Sequence, residues 1–150
     1  MSSISVPRIP DTGTTASRLA GWGHAVLRIG GGLLYMQHGA QKLFGLFGGF
    51  GSPGATAPLG SLFGLAGVFE FFGGALLVIG LFTRPVAVLL IGEMLYAFAT
   101  VHAPQGGAPV QNGGELPLLY AVIFIFLAAR GAGPFSLDRA IARRRSGDLS

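Results

Sequence analysis

Four apolar runs dominate the chain: Ala20 to His38, Leu59 to Phe82, Pro85 to Ala103 and Leu116 to Ala129, together about half of its 150 residues. A helix that crosses a bilayer needs about 20 mostly apolar residues, so four spans fit the length and leave the remainder for loops and tails. The fourth run rises only about 21 Å, so its helix must recruit Glu115 and Arg130 as interfacial ends or run on towards Gly133. Charged residues make up 11% of the chain, against about 25% in a soluble domain. That shortage excludes a conventional soluble globule, and the apolar content excludes a disordered chain. The 26 glycines follow no three-residue repeat, which excludes collagen. With no cysteine there is no disulfide, thiolate nucleophile or iron–sulfur cluster, and any redox chemistry must come from a cofactor or a partner.

The expected fold is therefore all-α: an up-and-down bundle of four transmembrane helices over about 20–38, 59–82, 85–103 and 116–132. A tail over 1–19 precedes it and a basic tail over 136–150 follows. Short cytoplasmic segments retain Lys and Arg. One end of such a bundle holds Arg8, Arg18, Arg84, Arg130, Arg139, Arg143, Arg144 and Arg145, and the other only Lys42. Both termini are thus expected to be cytoplasmic, in a multi-pass membrane protein. The same asymmetry accounts for the net charge of +4, so the basicity is not read as nucleic-acid binding. Residues 1–19 lack the apolar core of a cleavable signal, and the first span is expected to act as an uncleaved anchor. In the C-terminal tail Ser136 can cap a helix with Asp138 in its first turn. Leu137, Ala140 and Ile141 form its apolar stripe, with the arginines placed to meet anionic headgroups.

Ionised side chains in hydrocarbon cost at least about 2.5 to 3.5 kcal/mol at mid-helix, so Arg28, Glu70 and Glu93 need partners or water. Counted from the cytoplasmic boundary, Arg28 and Glu93 lie at about 12 and 14 Å and Glu70 at about 21 Å. An Arg28–Glu93 pair is the expected contact. His24, Arg28, Gly31, Tyr35, His38 and Lys42 recur every three or four residues and form an inward stripe on the first span. Gly67 and Gly74 flank Glu70 on its wheel, with Gly60 and Gly64 beyond, and permit close helix approach. Glu93, Tyr96 and Thr100 share a face. His102 reaches the height of His38, about 27 Å, but lies half a turn from Glu93, so pointing it inward requires a deformed or terminated helix. Arg28, Tyr35, Glu70, Glu93 and Tyr96 thus form an expected polar cluster, readable as a ligand or proton-linked site or as a packing network. His38, Lys42, His102, Asn112 and Glu115 mark the outer mouth. No metal centre is expected: two histidines with Glu115 as nearest third group are a poor ligand set, and water-bonded interfacial histidines explain them as well.

Phe44, Phe47 and Phe50 suggest an outer-leaflet anchor or a re-entrant piece. Asn112 is placed to cap the fourth helix and Glu115 to close a capping box. No phosphate loop, Ser-His-Asp arrangement or zinc motif is present.

The string His38-Gly39-Ala40-Gln41-Lys42-Leu43, the Glu70-Phe71-Phe72-Gly73-Gly74 step, Gly80-Leu81-Phe82-Thr83-Arg84, Asn112-Gly113-Gly114-Glu115 and the closing Gly131 to Asp138 stretch together resemble the bacterial DoxX family over about residues 20 to 140. The resemblance implies a small inner-membrane four-helix protein linked to thiosulfate:quinone oxidoreduction or to oxidative-stress complexes with partner enzymes. Carried over by position, it singles out His38, Lys42, Glu70, Gly73, Gly74, Asn112, Gly113, Gly114, Glu115, Ser136 and Asp138. The leading functional expectation is an accessory membrane subunit that holds a quinone or another apolar small molecule near Glu70, with Tyr35, Tyr96, His38 and Phe72 as walls. A non-catalytic scaffold and a proton-coupled carrier are the alternatives. Expected partners are the lipid bilayer, a redox enzyme and a second copy of the chain through small-residue faces.

Overall fold

The computed structural model describes residues 15–147, and these form helices and connecting turns with no strand among them. The helices are α1 (Thr15–Phe44), α2 (Leu62–Ile79), α3 (Thr83–Gln105), α4 (Pro109–Asn112), α5 (Glu115–Arg130) and α6 (Leu137–Gly147). α2 contains a π turn over Phe69–Gly73 and α3 another over Phe98–His102, after which a 3-10 turn over Ala103–Gln105 ends α3. Of the expected N-terminal tail, residues 1–14 lie outside the described part and residues 15–19 are the first turns of α1.

α1 packs along α2, and α3 along α5. α1 is longer than the apolar pattern suggests, at 30 residues or about 45 Å. It runs through the Gly39 region where a loop is expected, because Gly39 serves as a contact rather than a break. A Cβ there would strike the backbone of Phe71 and Gly67 on α2. Gly67 and Gly74 face α1 as expected, against Lys42 and Leu43 and against Met36 and Gly32. Gly60 and Gly64 do not: Gly60 lies before α2 in open space and Gly64 backs onto Pro58 and Leu59. Ser61 caps α2, accepting from the Gly64 amide at 3.1 Å. α2 ends at Gly80, whose left-handed φ of 66° suits a residue without Cβ.

Leu77, Ala87, Leu90, Phe124 and Leu127 meet in a core that excludes solvent completely. Outside it, Val26 and Leu34 on α1, Leu62 and Leu65 on α2, Val88 and Leu95 on α3, and Val122 and Ile125 on α5 are exposed. An apolar exterior of this extent calls for an apolar surrounding. α2 and α3 are the two helices long and apolar enough to cross a bilayer.

One end of the molecule is held by Arg28 and Asp138. Arg28 is fully buried and donates to the carbonyls of Leu77 at 2.6 Å, Val78 at 2.7 Å and Phe135 at 2.8 Å. The expected Arg28–Glu93 pair is therefore not formed. The last carbonyls of a helix have no intrahelical partner, and a guanidinium at the C-terminal end of α2 satisfies them and suits the helix dipole. Arg28, and not Ala20, stands level with the end of α2 at Leu77 and Val78, so a height counted from Ala20 puts it too deep and too near Glu93. Asp138 accepts from the amides of Phe82 at 2.8 Å and Thr83 at 3.0 Å, capping α3 from α6. Ser136 caps α6 through the Arg139 amide at 3.4 Å, while Leu137 and Ile141 stay exposed.

The Gly39 contact predicts a contrast on one helix. Gly39→Ala should cost about 1–3 kcal/mol by overpacking and lower the thermal unfolding midpoint in detergent. Gly30→Ala, where an added Cβ meets nothing within 4 Å, should leave that midpoint unchanged or slightly raised.

Candidate functional site

At the opposite end from Arg28, a cavity of about 490 Å³ opens among α1, α2, α3 and α5. Tyr35, His38 and Lys42 enter it from α1 on successive helical turns, the inward stripe expected from their spacing. α2 contributes Glu70, which lies inside the first π turn. Glu93, Tyr96 and Thr100 come from one face of α3, and His102 follows from the second π turn. A π turn advances fewer degrees per residue than an α turn, so the helix beyond it is rotated. This is the deformation that lets His102 reach the wall although an ideal helix would turn it half a revolution away.

Two polar pairs bridge the helices. Lys42 Nζ donates to both oxygens of Glu70 at 2.6 Å, with the two side chains only 13% and 6% exposed. The Tyr35 hydroxyl donates to Glu93 Oε2 at 2.9 Å. Glu93 Oε1 is buried and has no hydrogen-bond partner. Tyr35 is held by ring contacts at 4.9 Å to both Tyr120 and Phe124, and His38 meets the Tyr120 ring edge-on at 5.9 Å. The cavity thus offers an ammonium and an imidazole on one side and the Glu93 carboxylate, one of whose oxygens is buried without a partner, on another, among aromatic and aliphatic walls. That donor set fits a ligand carrying carbonyl or hydroxyl groups on an apolar ring or chain.

Several expected site residues lie elsewhere. Arg28 belongs to the carbonyl cage at the other end and has no part in the cavity. Lys42, expected at the outer mouth, does line the cavity, from a helical position where it is engaged by Glu70. Tyr96 lines the cavity at its rim, 55% exposed. Asn112 stands behind the wall: its backbone carbonyl bonds His102 Nδ1 at 2.9 Å, its side-chain amide donates to Gly106 O at 2.8 Å, and its Oδ1 accepts from the Gly114 amide at 2.8 Å. It braces the turn before α5 in place of the expected cap, and no side chain caps the Gly114 end. Glu115 is exposed and away from the cavity, so it does not converge with His38 and His102. Phe72 points outward, 55% exposed, and its expected place as a wall is taken by Phe63 and Tyr120. Tyr120 was detectable from its step to Phe124 and Leu127 on one face of α5. In the Phe44–Phe47–Phe50 series Phe44 meets Phe71 edge-on at 5.1 Å and Phe50 packs on Phe63 at 5.0 Å, while Phe47 is the most exposed of the three.

Removing one member of the Lys42–Glu70 pair strands the other. Lys42→Met should cost about 3–5 kcal/mol, read as a lower thermal midpoint in detergent, and Lys42→Met/Glu70→Gln should recover most of the loss. Equal midpoints for the single and double variants would show that the pair is not coupled.

Residues 23–103 match the family model for DoxX. An uncharacterized protein of Haemophilus influenzae is 37% identical over 127 residues, covering 80% of this chain and 91% of the relative. A second from the same organism is 38% identical over 68 residues, 45% of each chain. A Bacillus subtilis protein named "Putative oxidoreductase CatD" is 31% identical over 135 residues, covering 85% of this chain and 94% of that one. No solved structure matches. Across more than half of its length the chain carries the family pattern, and it belongs to the DoxX family.

Proposed function

We propose that the chain is a multi-pass protein of the bacterial inner membrane whose α1, α2, α3 and α5 each span the bilayer, with both termini in the cytoplasm. We further propose that it is an accessory subunit of membrane-linked oxidoreduction, holding a quinone or another small apolar ligand in the cavity for a partner enzyme. The membrane reading is supported by membership in a membrane-associated family, by the apolar faces of the four long helices and by the two helices that meet the length and hydropathy requirement. The oxidoreductase reading draws on the name of one relative. The single observation that carries the ligand reading is Glu93 Oε1, a buried acceptor without a partner beside a cavity of ligand size. Its neighbours complete the recognition set. Lys42 and His38 are placed to donate to a carbonyl oxygen, Glu93 to accept from a hydroxyl, and Tyr35 to hold Glu93 in position. A bound quinone would supply two-electron, two-proton chemistry, while the protein orients the ring and excludes water.

A second reading is a scaffold whose polar pairs only set helix packing, and it is favoured by the closed Lys42–Glu70 bridge. The two readings separate on ligand retention. Quinone extracted from purified protein should fall about tenfold in Glu93→Gln and Tyr35→Phe, each losing a bond to or around the ligand, at unchanged protein yield. Wild-type occupancy in both variants, or no quinone in the parent, would leave the scaffold.

Because the chain has no cysteine, topology can be read from single introduced thiols. Ser52→Cys, between α1 and α2, should react with a membrane-impermeant maleimide in intact spheroplasts, and Ser146→Cys, on α6, only after permeabilisation. Reaction of both in intact spheroplasts would overturn the four-span arrangement.

A further inference from the structure

The arginine-rich end has a larger cleft, about 910 Å³, bounded by the first turns of α1, the start of α3, the end of α5 and the start of α6. Arg84 of α3, Arg130 of α5 and Arg139 of α6 converge on it, with His24 of α1 beside them. Three cations from three helices repel one another unless an anion lies between them. Asp138 is the one carboxylate lining the cleft, and its two oxygens already accept from the amides of Phe82 and Thr83. None of the three arginines forms an ion pair among the described residues. Arg84 spends one donor on the Ala129 carbonyl at 3.3 Å, which aims its guanidinium across the cleft and leaves the rest of its fork available. His24 is fixed by Gly131 O at 3.0 Å and by the Phe126 ring at 5.1 Å, so the floor is built.

The surface beyond the cleft is apolar. Arg130, Phe126 and Val122 follow at four-residue steps and so share one face of α5, and Phe126 and Val122 are 37% and 62% exposed. A cationic pocket at a helix end that continues into an exposed apolar track matches a molecule with an anionic head and hydrocarbon chains. A soluble anion would use the pocket and leave the track bare.

We propose that this cleft binds the phosphate headgroup of an anionic phospholipid through Arg84, Arg130 and Arg139, with the acyl chains lying along the Phe126–Val122 face of α5. The site is separate from the cavity at the other end and rests on the membrane reading only for its occupant.

Native mass spectrometry of the full chain in detergent, titrated with phosphatidylglycerol, tests it. One phosphatidylglycerol should bind saturably and phosphatidylcholine should not compete. Arg84→Gln/Arg130→Gln/Arg139→Gln should weaken binding about a hundredfold, as three surface cations at about 1 kcal/mol each require. Arg143→Gln/Arg144→Gln/Arg145→Gln, farther along α6, should leave it unchanged. Should the first variant not fold, Arg139→Gln decides, with about a fivefold loss expected. The proposal is overturned by unchanged affinity in the cleft variants, by equal loss in the distal variant, by equal competition from phosphatidylcholine, or by displacement with an equal concentration of inorganic phosphate, which would make the occupant a soluble anion. A chain that labels with four-span topology yet fails this titration would lose the site while keeping the membrane reading.

Discussion

Burying Arg28, Lys42, Glu70 and Glu93 among apolar helices costs several kcal/mol per ion unless each finds partners within reach of its own side chain. The architecture follows from how that requirement is met. Arg28 forms no ion pair among the described residues and is met by peptide carbonyls, at the point where α2 stops and its last carbonyls are left over. That contact fixes where α1 stands against the end of α2 and where the segment before α6 must pass. Lys42 and Glu70 satisfy each other across the α1–α2 contact, and Tyr35 reaches Glu93 across to α3. Two of these ions keep a buried atom without a hydrogen bond, Arg28 at Nε and Glu93 at Oε1, and of the two only Glu93 lines the cavity.

The two ends of the molecule therefore differ in kind. At the arginine-rich end polar side chains bond to backbone: Arg28 to carbonyls, Asp138 to amides, His24 to Gly131. Such bonds depend on where helices begin and end, and they clasp the chain. At the other end the two pairs that bridge helices run between side chains, Lys42 to Glu70 and Tyr35 to Glu93, and π turns carry Glu70 on α2 and His102 on α3. A π turn gives up regular hydrogen bonding to re-aim side chains, which suits a recognition surface better than a packing surface.

Much of the cavity's α1 wall was legible, because helical periodicity alone puts Tyr35, His38 and Lys42 on one face, and the shared face of Glu93, Tyr96 and Thr100 was legible for the same reason. The partnership of Arg28 was not. Its partners are main-chain oxygens, which every residue possesses, so no side-chain pattern reports them. Phe72, expected as a wall, faces outward for a related reason: a wheel gives the angle between residues on one helix, while the direction of the bundle interior is set by the neighbours.

By itself the sequence determined that this is an all-helical chain with apolar faces, that its cations gather at one end, and that it carries the DoxX pattern, because periodicity, composition and motif order are properties of the chain read in one dimension. Which ion meets which group, that Gly39 is a contact instead of a break, and that His102 turns inward were decided only in the tertiary structure. Those outcomes depend on the relative height and rotation of helices, and these are fixed by close packing and by the cost of leaving buried polar groups unpaired.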